Sequence, residues 1–368
     1  MQNKILVFGA NTYNMLGIVR SLGIAGYKPI CVILNSKSGL VYDSKYPQKK
    51  VFVENKEKGL EYIIEKFSTE NHKPFILTND DQISSLLDEN YDNIKDNFYI
   101  FNAGKQGKIN QLMDKDVLRI LAESHGLKTP KTWLYVKCSK DIPKVTLPCF
   151  VKPAKSIIGG KQNQFICNTY EELNKALSTI ESEKTLIQEL VDKKTEICYS
   201  GYAINKGQTT YIPYKSKYLR VGVKSFGGYL VLQKTEEDKM ICKINDIIRE
   251  IGYEGLFSIE FLVDKNNNKY FTEINFRNDG TAFHYVKGGA NLSDLYVRST
   301  IGNKIIQSNS LKNNLVCMNE MNDLIHYVKG DKKNIFRWLW QFFTADSHIL
   351  YNRRDIKPFF SFLKQIIL

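Results

Sequence analysis

The sequence lacks the features that mark secreted, zinc-binding and membrane-spanning proteins. Its seven cysteines are odd in number and scattered, with no CxxC motif among them. This usage is typical of reduced thiols and excludes a disulfide framework or a cysteine zinc site. No stretch approaches the roughly 18 apolar residues of a membrane span, and the apolar run after Met1 is too short for a signal peptide. We therefore expect a cytoplasmic protein.

Several familiar nucleotide-binding and catalytic motifs are also missing. The first turn stands where a dinucleotide fold carries GxGxxG, but Asn11 and Asn14 occupy its second and third glycine positions. The second predicted strand ends at Asn35 without an acidic residue to hold a ribose, which argues against a nicotinamide enzyme. The five histidines are dispersed, so no Ser-His-Asp or Cys-His arrangement is suggested.

Positive charge, in contrast, is abundant. Lys and Arg number 52 against 39 Asp and Glu, a net charge of +13 that favours anionic partners such as nucleotides. A nucleic-acid-binding protein is the alternative that this charge suggests by itself. The basic residues are spread along the chain without a recognised DNA- or RNA-binding motif, which argues against it.

The 368 residues predict two to three domains of different patterns. Strands and helices alternate over residues 1–105, which predicts a doubly wound parallel sheet. Short strands around few helices follow over 106–305. Residues 306–368 form a mostly helical, aromatic and basic tail.

Two turns of the first domain are candidates for substrate binding. Asn11 and Thr12 open a predicted helix after the first strand, and Asp80 and Asp81 do so after a later strand. Ligands of open α/β sheets bind at this carboxyl edge. Helix capping explains the same residues without a ligand, so both interpretations stay open.

The second domain contains a lysine followed by a glycine-containing turn. Lys152 ends an apolar strand, and Ser156, Gly159 and Gly160 follow it within a few residues. Glycine lets backbone N–H groups approach phosphate oxygens, although an ordinary hairpin turn has the same composition.

Two glutamates near residue 270 are the most specific local signal. If the turn at 264–269 closes a symmetric hairpin, Glu260 lies directly opposite Glu273, with Asn275 on the same face. Opposed carboxylates destabilise a hairpin unless something compensates them. A divalent cation would do so, and Mg²⁺ takes carboxylate and phosphate oxygens. A solvated face is the alternative.

Together these segments, in this order over residues 1–300, resemble the ATP-grasp superfamily. The resemblance implies that ATP lies between two α+β lobes, here residues 106–190 and 191–305. It also implies roles for individual residues: phosphate contacts from Lys115 and Lys152; a closing loop with Ser156, Gly159 and Gly160; a hinge at Gln188, Glu189 and Val191 that reads adenine; a ribose ligand at Glu196, with Thr195 as the alternative; magnesium ligands at Glu260, Glu273 and Asn275; and Arg277 beside an acyl phosphate.

Within that superfamily the chain looks most like carboxylate–amine ligases related to carbamoyl-phosphate synthase and D-aspartate ligase. The resemblance implies ATP and Mg²⁺ as cofactors, an acyl-phosphate intermediate, and small carboxylate and amine substrates. Lys152 and Arg277 would serve the chemistry, and Lys215 and Arg220 join Asn11, Thr12, Asp80 and Asp81 as substrate candidates. A kinase of the same fold is the alternative within this superfamily.

The tail ends in an apolar helical stripe. Its members follow Pro358 at helical spacing: Phe359, Phe362, Leu363, Ile366 and Ile367. The stripe either docks on the protein or a second subunit, or lies on an anionic membrane surface. Docking is favoured, because the nearby cations do not form a continuous polar face. A homodimer is thus one expectation, and a membrane span is not.

Overall fold

The computed structural model describes residues 3–139, 141–155, 163–220, 228–236, 238–328 and 332–367. The N-terminal part alternates strands and helices: β1 Ile5–Ala10, α1 Tyr13–Ile24, β2 Ile30–Leu34, α2 Leu40–Asp43, β3 Lys49–Phe52, α3 Lys56–Phe67, β4 Phe75–Thr78, α4 Asp81–Glu89, α5 Tyr91–Ile94 and α6 Lys108–Leu112. The four strands pair in parallel in the order β3-β2-β1-β4, which confirms the predicted parallel sheet. The strand order reverses at β1, so the carboxyl ends of β1 and β4 flank the edge where such sheets bind ligands.

A smaller lobe follows, with its own sheet and core. Its elements are α7 Lys115–Ser124, β5 Thr132–Val136, β6 Cys149–Pro153, β7 Phe165–Cys167, α8 Tyr170–Thr179 and β8 Lys184–Glu189. The four strands are antiparallel in the order β5-β8-β6-β7. Apolar side chains from the strands and α8 form a hydrophobic cluster separate from the main core.

The larger lobe is built on a seven-stranded sheet. Its elements are β9 Lys193–Ile204, β10 Thr209–Tyr218, β11 Tyr229–Lys234, α9 Met240–Ile251, β12 Gly255–Asp264, β13 Lys269–Asn275, α10 Ala282–Gly288 and α11 Leu292–Gly302. The chain passes from one sheet to the other between Glu189 and Lys193. One continuous core joins this lobe to the α1 face of the N-terminal sheet. The smaller lobe has a core of its own, and a further separate cluster packs α3 and α4 on the other face of the N-terminal sheet.

The tail is helical, as predicted, and it also extends the large sheet. It contains β14 Leu315–Met318, α12 Glu320–Asp323, α13 Ile335–Thr344, β15 Ser347–His348 and α14 Lys357–Ile367. β14 pairs with β11, and β15 pairs with β14. Sequence analysis missed both strands, because runs of four and two residues are too short to show a period.

The final helix docks on the protein. Phe362 is 3% exposed, and Phe359 and Leu363 pack against the main core, where α14 meets α2. These members of the predicted stripe confirm the docked interpretation, while the side chains of Ile366 and Ile367 lie outside the described residues. None of the described helices has both the length and the apolar character that crossing a bilayer requires.

Candidate active site

The two predicted carboxylates do lie opposite each other. Glu260 on β12 pairs with Glu273 on β13, and Ser258 pairs with Asn275. The hairpin is not symmetric, however, since the register shifts by one residue beyond Glu260 and Phe261 pairs with Phe271. A bulge at Thr272 absorbs the difference, and the Thr272 hydroxyl donates to the Glu260 carbonyl at 2.9 Å. The prediction that Glu260 opposes Glu273 was correct. The symmetric register behind it holds from Ser258 to Glu260 but not between Phe261 and the turn.

Asn275 connects the carboxylate pair to an arginine. Its Nδ2 donates to Glu260 Oε1 at 3.0 Å, and its Oδ1 accepts from Arg277 Nη2 at 3.2 Å. Glu260, Asn275 and Arg277 therefore form one hydrogen-bonded row at the end of the hairpin. A side-chain amide oxygen and two carboxylates are a donor set that suits Mg²⁺.

Further acidic groups approach Glu260 from outside the hairpin. On the side of β12 away from β13, Glu260 pairs with Cys198 of β9. Ligand atoms of Cys198, Glu260 and Asp279 all lie within 4.8 Å of one another. Burial, and then the negative charges of Glu273 and Asp279, raise the pKa of Glu260 well above its ordinary value. A bound cation would offset this repulsion, so the electrostatics fit a metal at this place.

Arg277 is held from the N-terminal domain. Its Nε donates to Asp81 Oδ1 at 2.8 Å and its Nη2 to Asp81 Oδ2 at 3.3 Å, a two-point ion pair that joins the segment after β13 to α4. Burial lowers the pKa of Arg277, but the charge of Asp81 outweighs this effect and raises the pKa above its ordinary value. The guanidinium therefore keeps its positive charge beside Asn275.

Two lysines of the smaller lobe, one on α7 and one on β6, lie near the carboxylates. Lys115 Nζ lies 3.9 Å from Glu273 Oε2. Lys152 on β6 is buried, and burial, followed by the charge of Lys115, lowers its pKa to about 8. Two cations beside two carboxylates are placed as phosphate groups and a metal ion require.

Glu196 carries an unused acceptor on the same face as Glu260. On β9, Glu196 and Cys198 are two residues apart, so both side chains leave one face of the sheet. Glu196 Oε1 accepts from Lys193 Nζ at 2.6 Å, whereas its buried Oε2 has no hydrogen-bond partner within the described chain. The Thr195 hydroxyl is engaged, since it donates to the Tyr218 carbonyl at 2.6 Å. Of these two residues, Glu196 has the acceptor that a sugar hydroxyl needs.

The predicted adenine-reading residues end β8 at the crossing between lobes. Gln188 is buried and donates to Thr132 Oγ1 at 2.9 Å, while the side chain of Glu189 is exposed. Val191 follows in the connection to β9. The predicted closing loop, with Ser156, Gly159 and Gly160, lies outside the described residues.

The N-terminal candidates mainly hold local structure. Thr12 caps α1 by accepting from Met15 N at 3.4 Å, and Asp80 caps α4 through Gln82 N at 2.8 Å. Asn11 Oδ1 accepts from Val41 N at 2.9 Å. All three lie at the ligand-binding edge, yet these contacts support the capping interpretation for Thr12 and Asp80.

The other two substrate candidates lie away from the carboxylates. Lys215 pairs with Tyr199 across β10 and β9, on the face opposite Cys198, and its Nζ lies 2.7 Å from Asp238 Oδ2. Arg220 forms an ion pair with Asp323 and lies over the Tyr327 ring, 3.6 Å from its centroid. The structure therefore does not bring Lys215 and Arg220 to the site.

Sequence analysis also missed two side chains at the site. Asp279 follows Arg277 by two residues, a spacing that could have suggested it. Tyr13, at the start of α1, is partly buried near Asn322, Asn319 and Asp279, and desolvation raises its pKa. No sequence pattern links Tyr13 to residues so far along the chain.

Comparison with known proteins gives a family match for the centre of the chain. Residues 120–294 match the model of the ATP-grasp domain. The N5-carboxyaminoimidazole ribonucleotide synthase of Staphylococcus epidermidis is 25% identical over 222 residues, which cover 60% of this chain and 56% of that protein. The chain thus spans about half the length of the curated relatives it matches.

Solved structures show the same fold over most of the chain. The N5-carboxyaminoimidazole synthetase of Staphylococcus aureus, complexed with ADP, matches with a TM-score of 0.67 and 19% identity, over 90% of this chain and 86% of that one. An L-amino acid ligase from Bacillus licheniformis matches with a TM-score of 0.62 and 15% identity, over 82% and 75% of the two chains. At these identities the likeness is one of fold.

Proposed function

We propose that the protein is an ATP- and Mg²⁺-dependent carboxylate–amine ligase, and the match of residues 120–294 to the ATP-grasp domain supports the proposal. The observation that carries the proposal is the pair Glu260 and Glu273, opposed on one hairpin between the lysines and Arg277. The sequence relative named as a synthase supports the same class of reaction. The comparisons give no support to a kinase or to a nucleic-acid-binding protein.

In this proposal, separate sets of residues contact the nucleotide, the magnesium ion and the acyl-phosphate intermediate. Lys115 and Lys152 would contact phosphate oxygens, and Glu196 Oε2 would accept from a ribose hydroxyl. Gln188, Glu189 and Val191 would border the adenine, with Ser156, Gly159 and Gly160 closing over the phosphates. Glu260, Glu273 and Asn275 would hold Mg²⁺, which screens and orients the phosphates when bound.

The proposed reaction has two steps. An oxygen of the substrate carboxylate attacks the γ-phosphorus, the bond to the β-phosphate oxygen breaks, and ADP leaves. The amine nitrogen then attacks the acyl carbon, phosphate leaves with the former carboxylate oxygen, and the nitrogen loses a proton. Arg277, held by Asp81, would stabilise the negative acyl phosphate.

A phosphate-release assay tests the proposal. The enzyme is supplied with ATP, Mg²⁺ and pairs of small carboxylates and amines, and ADP and phosphate should form only when a carboxylate is present. Hydroxylamine should trap the acyl phosphate, and ¹⁸O from the carboxylate should appear in phosphate. Release of AMP and pyrophosphate would contradict the mechanism, and a stable phosphorylated product without amine would indicate a kinase.

The proposal also includes a cellular location and an oligomeric state. We expect the enzyme to act in the cytoplasm on small molecules, because ATP and Mg²⁺ are available there. A homodimer is proposed as its oligomeric state, and analytical ultracentrifugation of the full chain tests it.

A further inference from the structure

Helix α13 exposes a row of large apolar side chains. Phe336, Leu339, Trp340 and Phe343 occupy positions i, i+3, i+4 and i+7, which places them on one side of the helix. The two phenylalanines are 81% and 80% exposed, the tryptophan 65% and the leucine 39%. Every other helix of the described chain exposes at most two large apolar side chains, so this row, the α13 face, is unusual.

The opposite side of α13 fastens the helix to the protein. Trp338 and Gln341 are 5% exposed, and Phe342 stacks on Phe359 of α14 with ring centroids 6.0 Å apart. Arg220 also donates to Gln341 Oε1. The helix is therefore held in place, and its outer side points away from the core as a consequence of that packing.

The stretch of chain that contains α13 is basic. Residues 332–367 contain seven Lys and Arg but two Asp. Asp355 is buried in an ion pair with Arg20 at 2.9 Å, and Asp346 accepts from Val316 N at 2.8 Å. Exposed cations from the same stretch are Lys333, Arg337, Arg353, Arg354, Lys357 and Lys364. An anionic partner therefore complements this region.

We infer that the α13 face lies on an anionic lipid bilayer, with the helix in the plane of the headgroups. Aromatic side chains on one side of a helix, with Lys and Arg in the same stretch of chain, are the composition of interfacial helices, and anionic headgroups attract each cation near the surface. The inference goes beyond the proposed ligase function and does not depend on it.

A second copy of the chain fits the same face less well. Rings of about 150–250 Å² each, exposed to this extent, offer on the order of 400 Å², about half of what each partner of a standard stable interface buries. Face-to-face pairing would also bring the exposed cations of both copies together, which repels. Neither objection applies to an anionic lipid surface.

Flotation of the full chain with vesicles tests the inference. The protein should float with vesicles of 70% phosphatidylcholine and 30% phosphatidylglycerol, and its partition should fall at least tenfold on pure phosphatidylcholine or in 0.5 M NaCl. Tryptophan fluorescence should shift to the blue on binding, because the exposed Trp340 would move from water into the bilayer. Trp338, the other tryptophan of α13, is already buried. The triple variant F336S/W340S/F343S should lose binding at least tenfold.

The control variant is Ile120→Ser, which removes an apolar side chain 54% exposed on α7 and should bind vesicles like the wild type. Thermal unfolding should be unchanged in the triple variant, since its three side chains contact solvent. Equal partition onto neutral and anionic vesicles would overturn the inference. So would absence of vesicle binding together with a dimer that the triple substitution dissociates. Phosphate release measured in parallel reports on the proposed ligase activity separately.

Discussion

Replacing Glu260 by glutamine should stabilise the metal-free protein. Burial and the charges of Glu273, Asp279 and Glu196 disfavour the ionised Glu260. Glutamine has nearly the same shape and keeps an oxygen that accepts from Asn275 Nδ2. The substitution therefore removes the repulsion and retains the hydrogen bond. It should raise the stability of the metal-free protein and weaken metal binding.

The size of the effect follows from the geometry. Side chains directly opposite on neighbouring strands stand about 5 Å apart, and two unit charges at that distance repel by about 3 kcal/mol at an effective dielectric constant of about 20. Protonation limits the penalty, since raising a pKa from 4.5 can destabilise the protein at pH 7 by at most about 3.4 kcal/mol. We expect the Glu260→Gln variant to be more stable by about 1–3 kcal/mol in EDTA.

The pH dependence has a definite sign. Because the pKa of Glu260 is higher in the folded than in the unfolded protein, its penalty is absent below the unfolded value of 4.5 and grows as pH rises towards the folded value. The stability gap between the variant and the wild type should thus be near zero at pH 4.5 and widen towards pH 7.

Urea unfolding in EDTA, at pH 5 and at pH 7.5, measures the gap. Adding Mg²⁺ and ADP should raise the melting temperature of the wild type by more than that of the variant, because the variant lacks one metal ligand. Glu61→Gln, on the exposed side of α3, is the matched control and should change neither quantity. A Glu260→Gln variant less stable than the wild type in EDTA, or with an equal gap at both pH values, would refute the reasoning.

Three further predictions concern other parts of the site and the tail. Asp81→Asn should lower kcat at least tenfold with little change in KM for ATP, because Arg277 loses its two-point partner; an unchanged kcat in steady-state assays would contradict this. Binding of ADP in EDTA should weaken above about pH 8 as Lys152 loses its proton, and calorimetry should find a flat profile for Lys152→Arg if that group is responsible. Truncation after Asp355 should destabilise the protein by about 3–6 kcal/mol in urea, because Phe362 is buried and Phe359 and Leu363 are half-buried; an equally stable truncation would show that α14 is not docked.

The sequence predicted those features that depend on local pattern. Alternating apolar segments over the first hundred residues predicted the parallel sheet that the structure has, because hydrophobic period and helix length are readable without tertiary information. The opposition of Glu260 and Glu273 was also local, since thirteen residues and one turn separate them. The bulge at Thr272 was not predictable, since nothing in the spacing marks the position of an extra residue.

Only the tertiary structure decided which distant residues meet. Asp81 and Arg277 are 196 positions apart, and their ion pair depends on how α4 packs against the end of β13. Lys215 is a plausible cation in the sequence, but strand alternation puts it on the face away from Cys198 and Glu260. Helix α13 shows the same division: the sequence determines that it is aromatic throughout, whereas packing of Trp338 and Phe342 against the protein decides that Phe336, Trp340 and Phe343 face outward. The sequence shows which chemical groups are available. Long-range packing, which no local pattern encodes, determines which of these groups come together.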